Sequence, residues 1–265
     1  MNPAPKEQKN KAGILLIDTS IVGVSVGLMA PTLEGSPASE RSVPTLVAEA
    51  SHYEMAGSIA TIATLVDRCM KSAGFHAQDI DHIVVSTGPG SFTGIKIGLG
   101  FAYGWAAGSE KPIRWLGVSA LACAAAEMSD TKWVQDRTLF LPATRTHGFA
   151  ASRSKNGSAE PWLVDVNDPA TWKDKFRDQD PESFTIVGSW PLLEAALREN
   201  AIPFDQVPSS DIAGKALAGM AKEAQNAWPS GFSLTIPLPN YLRLSTAEEQ
   251  LARRAAMQAR TEETS

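Results

Sequence analysis

Asp18-Thr19-Ser20, closing the short apolar run that begins at Gly13, places a carboxylate and two hydroxyls in one tight turn. Such a triplet can help hold a metal-bound phosphate, or it can cap its own turn. Downstream, Gly88-Pro89-Gly90-Ser91-Phe92-Thr93-Gly94 joins a strand to a helix. Glycines let a backbone approach a phosphate closely and a helix N-terminus attracts anions, but a tight strand-to-helix connection uses the same residues. The segment is not a P-loop, because Lys96 comes two positions after the last glycine and is followed by Ile97 rather than Ser or Thr.

Metal and nucleophile chemistry lack their residue sets. His52 and Glu54 open a helical pattern, but a metal pair on one face needs a second histidine four residues on, where Ala56 stands. His76, His82 and His147 lie in separate segments, and no turn matches a nucleophile elbow. Cys69 and Cys123 each fall within an apolar helical pattern, which reads as buried thiols in a reducing compartment.

The chain that must position these groups has 265 residues, enough for one large domain or two ordinary ones. Its 24 basic and 29 acidic residues leave a net charge of −5, which disfavours autonomous nucleic-acid binding. With 43% hydrophobic and 20% charged residues it has the composition of a globular protein rather than a disordered one. Lys6, Lys9 and Lys11 are followed by only the short apolar run Ile14 to Ile17 before Asp18, too short for a signal peptide. The stretch Ile97 to Gly108 falls short of the roughly 20 residues of a membrane span. A cytoplasmic protein with no membrane partner is expected.

Hydrophobic period predicts the elements. Gly13 to Ser20 reads as a buried strand; Val22, Val24, Val26 and Leu28 alternate as a second; a third is expected near Val43 to Ala50. Met55, Ile59, Ile62, Val66 and Cys69 recur at helical spacing over Glu54 to Ala73. A strand at Ile83 to Val85, a helix from Ile95 to Gly108, a strand at Ile113 to Val118 and a helix to Met128 complete a βββαβαβα series. From Arg137 the series restarts: strands near Thr138 to Leu141, Gly148 to Arg153 and Trp162 to Val166, with Asn156-Gly157 as a hairpin turn. A short helical stretch around Ala170 to Phe176, a strand at Phe184 to Val187, a helix at Pro191 to Asn200, a strand near Phe204 and a helix at Asp211 to Ala227 follow. Two α/β halves in this order are the layout of the actin, Hsp70 and sugar-kinase (ASKHA) fold class. The expected organisation is a flexible tail over 1–12, a first subdomain over 13–130, a second over 131–240, and a tail or helix over 241–265.

In that class the first hairpin turn and its counterpart grip nucleotide phosphates, each with an acidic residue. Asp18 fits, but the counterpart Ala143-Thr144-Arg145-Thr146-His147-Gly148 has no carboxylate. The more informative feature is the helix from Ile95 to Gly108. Lys96 is its only charge, and Ile97, Leu99, Phe101, Ala102, Tyr103, Trp105 and Ala106 cover every face. A helix that is apolar all round must be covered all round, either by a second layer of this chain or by a partner. Gly100, Gly104 and Gly108 recur every fourth residue, a row that lets another helix approach closely, with the helix over 54–73 as the natural neighbour. The two helices are expected to form a pair offered to another protein through Met55, Ile59, Ile62, Val66, Leu99, Gly100, Tyr103 and Gly104.

The chain also resembles the TsaB (YeaZ) family of bacterial tRNA threonylcarbamoyladenosine biosynthesis proteins. The resemblance is carried by Ile14-Leu15-Leu16-Ile17-Asp18-Thr19-Ser20, the Gly88 to Gly94 loop with Ile97-Gly98-Leu99, Gly117-Val118-Ser119-Ala120-Leu121, and Pro239-Asn240-Tyr241-Leu242-Arg243. Lys96 replaces the Arg usual after the loop, and Ala143 stands where the family typically has Asp, so Asp18, Thr19, Ser20, Gly88, Gly90, Ser91, Thr93, Gly94 and Lys96 are at most a vestige of a nucleotide site. The resemblance implies a non-catalytic scaffold. Its catalytic paralogue TsaD looks like the same fold with a His-x-Glu-Gly-His pair where this chain has His52-Tyr53-Glu54-Met55-Ala56. It further implies pairing with TsaD through the first-half helices, a third subunit TsaE with ATPase activity, and transfer of threonylcarbamoyl to adenosine beside the anticodon of tRNAs reading ANN codons. ATP and metal would then be on the partners, tRNA would be met only through the complex, and the isolated chain would form a homodimer. Arg253, Arg254 and Arg260, mixed with Glu248 and Glu249, read as a solvated helix or as a tRNA or partner contact. Two other readings stay open: a nucleotide-dependent transferase or kinase of the actin-like fold, and a metallopeptidase-like protein.

Overall fold

The computed structural model describes residues 12–31, 43–53, 58–128, 138–152, 160–173 and 184–243. The first half runs β1 (Gly13–Asp18), β2 (Val24–Pro31), β3 (Pro44–His52), α1 (Ser58–Ala73), β4 (Ile80–Ser86), α2 (Phe92–Ala107), β5 (Arg114–Val118) and α3 (Ala120–Met128). The second runs β6 (Thr138–Pro142), β7 (His147–Ser152), β8 (Trp162–Asp165), a 3-10 turn (Pro169–Thr171), β9 (Phe184–Val187), α4 (Pro191–Glu199), β10 (Phe204–Val207) and α5 (Ser209–Ala227). The sheets have the orders β3-β2-β1-β4-β5 and β8-β7-β6-β9-β10. Counted from the start of each half, both read 3-2-1-4-5, the duplication expected of the actin-like α/β class.

Alternation within β1 sets the layers. Ile14 and Leu16 join a core with α3, α5 and the second sheet, whereas Leu15 and Ile17 join a core with α1 and α2. The order through the molecule is therefore α1 and α2, first sheet, α3 and α5, second sheet, and then α4 with Trp172 and Trp190 on the far face. Strands buried on both faces cannot show the polar alternation of a half-exposed sheet, which is why β1 reads as a continuous apolar run.

The central layer is close-packed through one residue. A Cβ at Gly219 of α5 would lie 2.5 Å from the Cys123 carbonyl oxygen of α3. Glycine there lets two helix backbones approach, joining the halves of the chain.

Several boundaries differ from the sequence reading. α2 begins at Phe92 rather than Ile95, because the Ser91 hydroxyl accepts from the Gly94 N–H and so caps a helix that starts inside the glycine-rich turn. α1 is described from Ser58, so Glu54, Met55 and the Ile59 side chain lie outside the described residues, as do the Asn156-Gly157 turn, 174–183, and the arginines beyond 243. Among the described residues no helix is long and apolar enough to cross a membrane.

Gly219→Val should lower the unfolding free energy by about 1–3 kcal/mol in urea titrations, since overpacking must part α3 from α5. Gly214→Ala, where an added Cβ meets nothing within 4 Å, should instead stabilise by roughly 0.5–1 kcal/mol.

Candidate functional site: an open helix face beside a closed glycine loop

The glycine-rich turn is closed onto its own chain. Ser91 N–H donates to the Ser20 carbonyl at 2.7 Å, and the Thr19 hydroxyl donates to the Gly94 carbonyl at 2.7 Å. A Cβ at Gly90 would collide with the Ser20 carbonyl oxygen, one at Gly94 with the Thr19 carbonyl oxygen, and one at Gly98 with the Thr19 hydroxyl. These glycines give backbone room to another part of the backbone, the first hairpin turn. Gly88 meets the Asn240 carbonyl in the same way.

Asp18 is buried under that turn. One carboxylate oxygen accepts from the Ser20 N–H at 2.8 Å and the Ser20 hydroxyl at 2.7 Å, and the Ser86 hydroxyl donates to Ser20 at 2.7 Å. Burial pushes the Asp18 carboxyl above its ordinary range, while the bonds from Ser20 and Ser86 pull the other way. These contacts with Ser20 are those of a turn cap.

Between the halves lies a cleft of about 390 Å³ lined by Ser20, Gly90, Ser91 and Thr93 on one side, by Pro142, Ala143 and Thr144 on the other, and by Asn240 to Arg243 at its mouth. No carboxylate lines it among the described residues. Lys96 does not reach into it: its ammonium lies 4.0 Å from the centre of the Phe92 ring on the outer surface of α2. The nine residues grouped by sequence as a vestigial nucleotide loop thus divide into a buried clamp, a cleft wall, and Lys96 on a different face.

The outer face of α2 is the other exceptional surface. Ile95, Gly98, Leu99 and Ala102 face the sheet. Gly100 and Gly104 are exposed, and a Cβ on either would meet nothing within 4 Å. Ile97, Phe101 and Trp105 flank them half-buried. Two shallow depressions follow this row, one against Phe92, Lys96, Ile97 and Phe101, the other against Trp105, Gly108 and Lys111.

Two expectations need correction here. Ile62, Val66 and Leu99 were assigned to the partner face, yet they are almost fully buried in the core against the first sheet. The helical stripe of α1 is its sheet-facing stripe, and the same turn geometry puts Leu99 beneath α2. The glycine row also does not receive α1; it opens outward. Tyr103 is half-buried, with its ring edge-on to Trp115 and its hydroxyl donating to the Pro237 carbonyl at 2.5 Å.

The segment that accepts this bond was missed by sequence reasoning. After α5 the chain runs as an extended strap. Ser233 exchanges two backbone bonds with Trp115 of the edge strand β5, Asn240 N–H donates to the Thr87 carbonyl, and Tyr241 packs on Phe92 with ring centres 4.6 Å apart. Leu234, Ile236 and Leu238 alternate along it, a period-two signal obscured by the prolines at 237 and 239.

The TsaD family, described as tRNA N6-adenosine threonylcarbamoyltransferase, matches residues 54–142. The TsaB protein of Escherichia coli, named as a tRNA threonylcarbamoyladenosine biosynthesis protein, is 38% identical over 73 residues, 27% of this chain and 31% of that protein. The TsaB protein of Haemophilus influenzae is 29% identical over 116 residues, 43% of this chain and 44% of that protein. The matched region thus spans less than half the length of either curated relative. Among solved structures, YeaZ from Pseudomonas aeruginosa aligns over 87% of this chain and 100% of its own at a TM-score of 0.59 and 20% identity, a likeness of fold. Part of the chain is therefore similar in sequence to proteins named TsaB and to the TsaD family model, and its fold is shared with YeaZ.

Proposed function

We propose that this chain is a non-catalytic subunit of the cytoplasmic machinery that makes N6-threonylcarbamoyladenosine in tRNA, acting by binding and stabilising a catalytic TsaD subunit, with TsaE joining the assembly. The observation that carries the reading is the open glycine row of α2. Glycine within a helix costs roughly 0.5–1 kcal/mol relative to alanine. Gly94 and Gly98 have a steric reason inside this chain, the clamp on Thr19; Gly100 and Gly104 have none. Their cost is offset if another backbone packs against the row, and the aromatic and aliphatic flanks supply apolar surface to bury there.

The closed loop supports the non-catalytic half of the proposal. Phosphoryl transfer needs positioned charge around a metal and a γ-phosphate. The residues that would cradle phosphate are filled by the first hairpin turn, and Asp18 is engaged in capping. ATP and metal belong, on this reading, to the partners, and tRNA is met through the assembled complex.

Gly104→Leu should leave the monomer at least as stable as before in urea unfolding, because its Cβ points into open space and leucine favours a helix over glycine, yet weaken association with the cognate TsaD at least tenfold in sedimentation. Nucleoside analysis of tRNA incubated with TsaD, with and without this chain, should show modification that depends on the chain; unaltered modification in its absence would refute the scaffold role.

Asp18→Asn separates scaffold from enzyme. For an acid whose folded pKa is raised, stability is greatest while the proton is retained and is lost as pH climbs from the unfolded carboxylate range toward the folded value. Asparagine keeps an acceptor for Ser20 and has no charge to bury. The variant should gain on the wild type as pH rises, converge with it in acid, and still support modification. Loss of modification by an assembled Asp18→Asn complex would favour the nucleotide-dependent enzyme.

A further inference from the structure

We infer that residues 245–260 form a helix that lies on the outer face of α2 in the isolated chain, a cover supplied by this chain's own C-terminal segment that a partner must displace. The inference rests on the reading of α2 as an interface and adds what closes that interface.

The place where the described chain ends points to this occupant. The strap passes α2 from Tyr103, whose hydroxyl donates to the Pro237 carbonyl, to Phe92, on which Tyr241 packs. Phe92 and Thr93 line both the cleft between the halves and the first depression on the outer face of α2, and Leu242 and Arg243 stand at the cleft mouth. Residue 244 therefore leaves at the N-terminal end of α2, beside the start of the glycine row. A helix that begins there and turns back along α2 is tethered by a few residues, and a short tether supplies an effective concentration in the millimolar range. The glycine face is one helix wide, so a tethered helix can occupy it where a free partner needs contacts beyond it to reach the roughly 800 Å² buried on each side of a stable complex.

Residues 244–265 lie outside the described residues, and their sequence has the pattern such a cover needs. Ser245-Thr246-Ala247-Glu248 is a capping box, a helix start in which the first hydroxyl and the carboxylate three residues on each take a backbone N–H. No glycine or proline follows as far as residue 265. Ala247, Leu251, Ala255 and Ala259 recur every fourth residue, flanked by Ala252 and Ala256, while Arg253 falls on the opposite side. A row of small residues lets one helix approach another closely, and the row it meets is Gly100 and Gly104, where no side chain stands in the way. The lengths agree: α2 has 16 residues, as does 245–260, each about 24 Å long as a helix. The charges agree as well. With the two helices parallel and side by side, Glu248 and Glu249 come level with Lys96, the only charge on α2, and Leu251 enters the depression lined by Ile97, Gly100 and Phe101. Leu238 and Ile236 of the strap, 79% and 47% exposed, supply apolar surface for the other wall of the seat.

Cross-linking of the full chain tests the cover. With Gly100→Cys and Leu251→Cys in one chain, diamide should oxidise the two thiols to an intramolecular disulfide, the diamide being reduced to its hydrazine, at a rate independent of protein concentration. Cys69 and Cys123 are buried and do not compete. The rate should exceed at least tenfold that of Gly100→Cys combined with Arg253→Cys, which places the second thiol on the far side of the segment. Equal rates mean that the segment does not settle on the row, and a covalent dimer means that another chain occupies it; either result overturns the cover. Leu251→Asp should tighten association with the cognate TsaD at least tenfold in sedimentation, because the cover no longer competes, and an affinity equal to that of the wild type overturns the competition. If TsaD binds neither the wild type nor Leu251→Asp, the scaffold reading fails while the cross-link decides the cover on its own.

Discussion

Among the described residues the outer helix layer, α1 and α2, has the first sheet beneath it and no layer above, and this asymmetry governs that surface of the molecule. The first sheet needs apolar helices on its outer face because its inner strands β1, β2 and β4 are buried on both sides. α1 meets that need as an amphipathic helix, its stripe through Ile62, Val66 and Cys69 turned inward. α2 meets it with Ile95, Leu99 and Ala102 but continues largely apolar around its circumference, so the side turned away from the sheet remains mostly hydrophobic, with Lys96, Gly100 and Gly104 along its crest. The proposed interface rests on that surplus, since contiguous apolar surface of this kind is rarely left to water.

The duplicated architecture was legible in the sequence because it is written in periods and turns. Alternation marked β2, helical spacing marked α1, and the second series repeated the first closely enough for both sheets to share one strand order. The site was legible only in outline. That α2 was greasy all round could be read; which face pointed out could not, because a helix without a polar side has no moment to orient it. Assigning Ile62, Val66 and Leu99 to the outside followed from treating apolar as available. The strap was invisible for a different reason: its anchors are backbone bonds from Ser233 and Asn240 and a carbonyl at Pro237, none of which depends on a distinctive side chain.

The same glycine does opposite work at neighbouring positions. At Gly90, Gly94 and Gly98 the missing Cβ brings the loop and α2 onto the first hairpin turn, tying sheet to helix across Thr19 and Ser20. Two residues further on, at Gly100, the missing Cβ faces outward and meets nothing. A glycine-rich stretch therefore carries two meanings that spacing cannot separate: one row clamps the fold, the next leaves a furrow. The clamp also accounts for the anion-site character of the sequence without an anion, since the hydroxyls and amides that would receive phosphate receive Ser20, Thr19 and each other.

Synthesis imposes an order on the layered arrangement. α5 lies against β1, β2 and β3, and the Gln225 side chain donates to the Pro44 carbonyl across 181 positions. Strands β1 to β3 consequently keep one face bare until α5 has been made. A nascent first half is an obvious client for a holdase, and interruption of translation before Ser209 leaves a sticky fragment rather than a small folded unit.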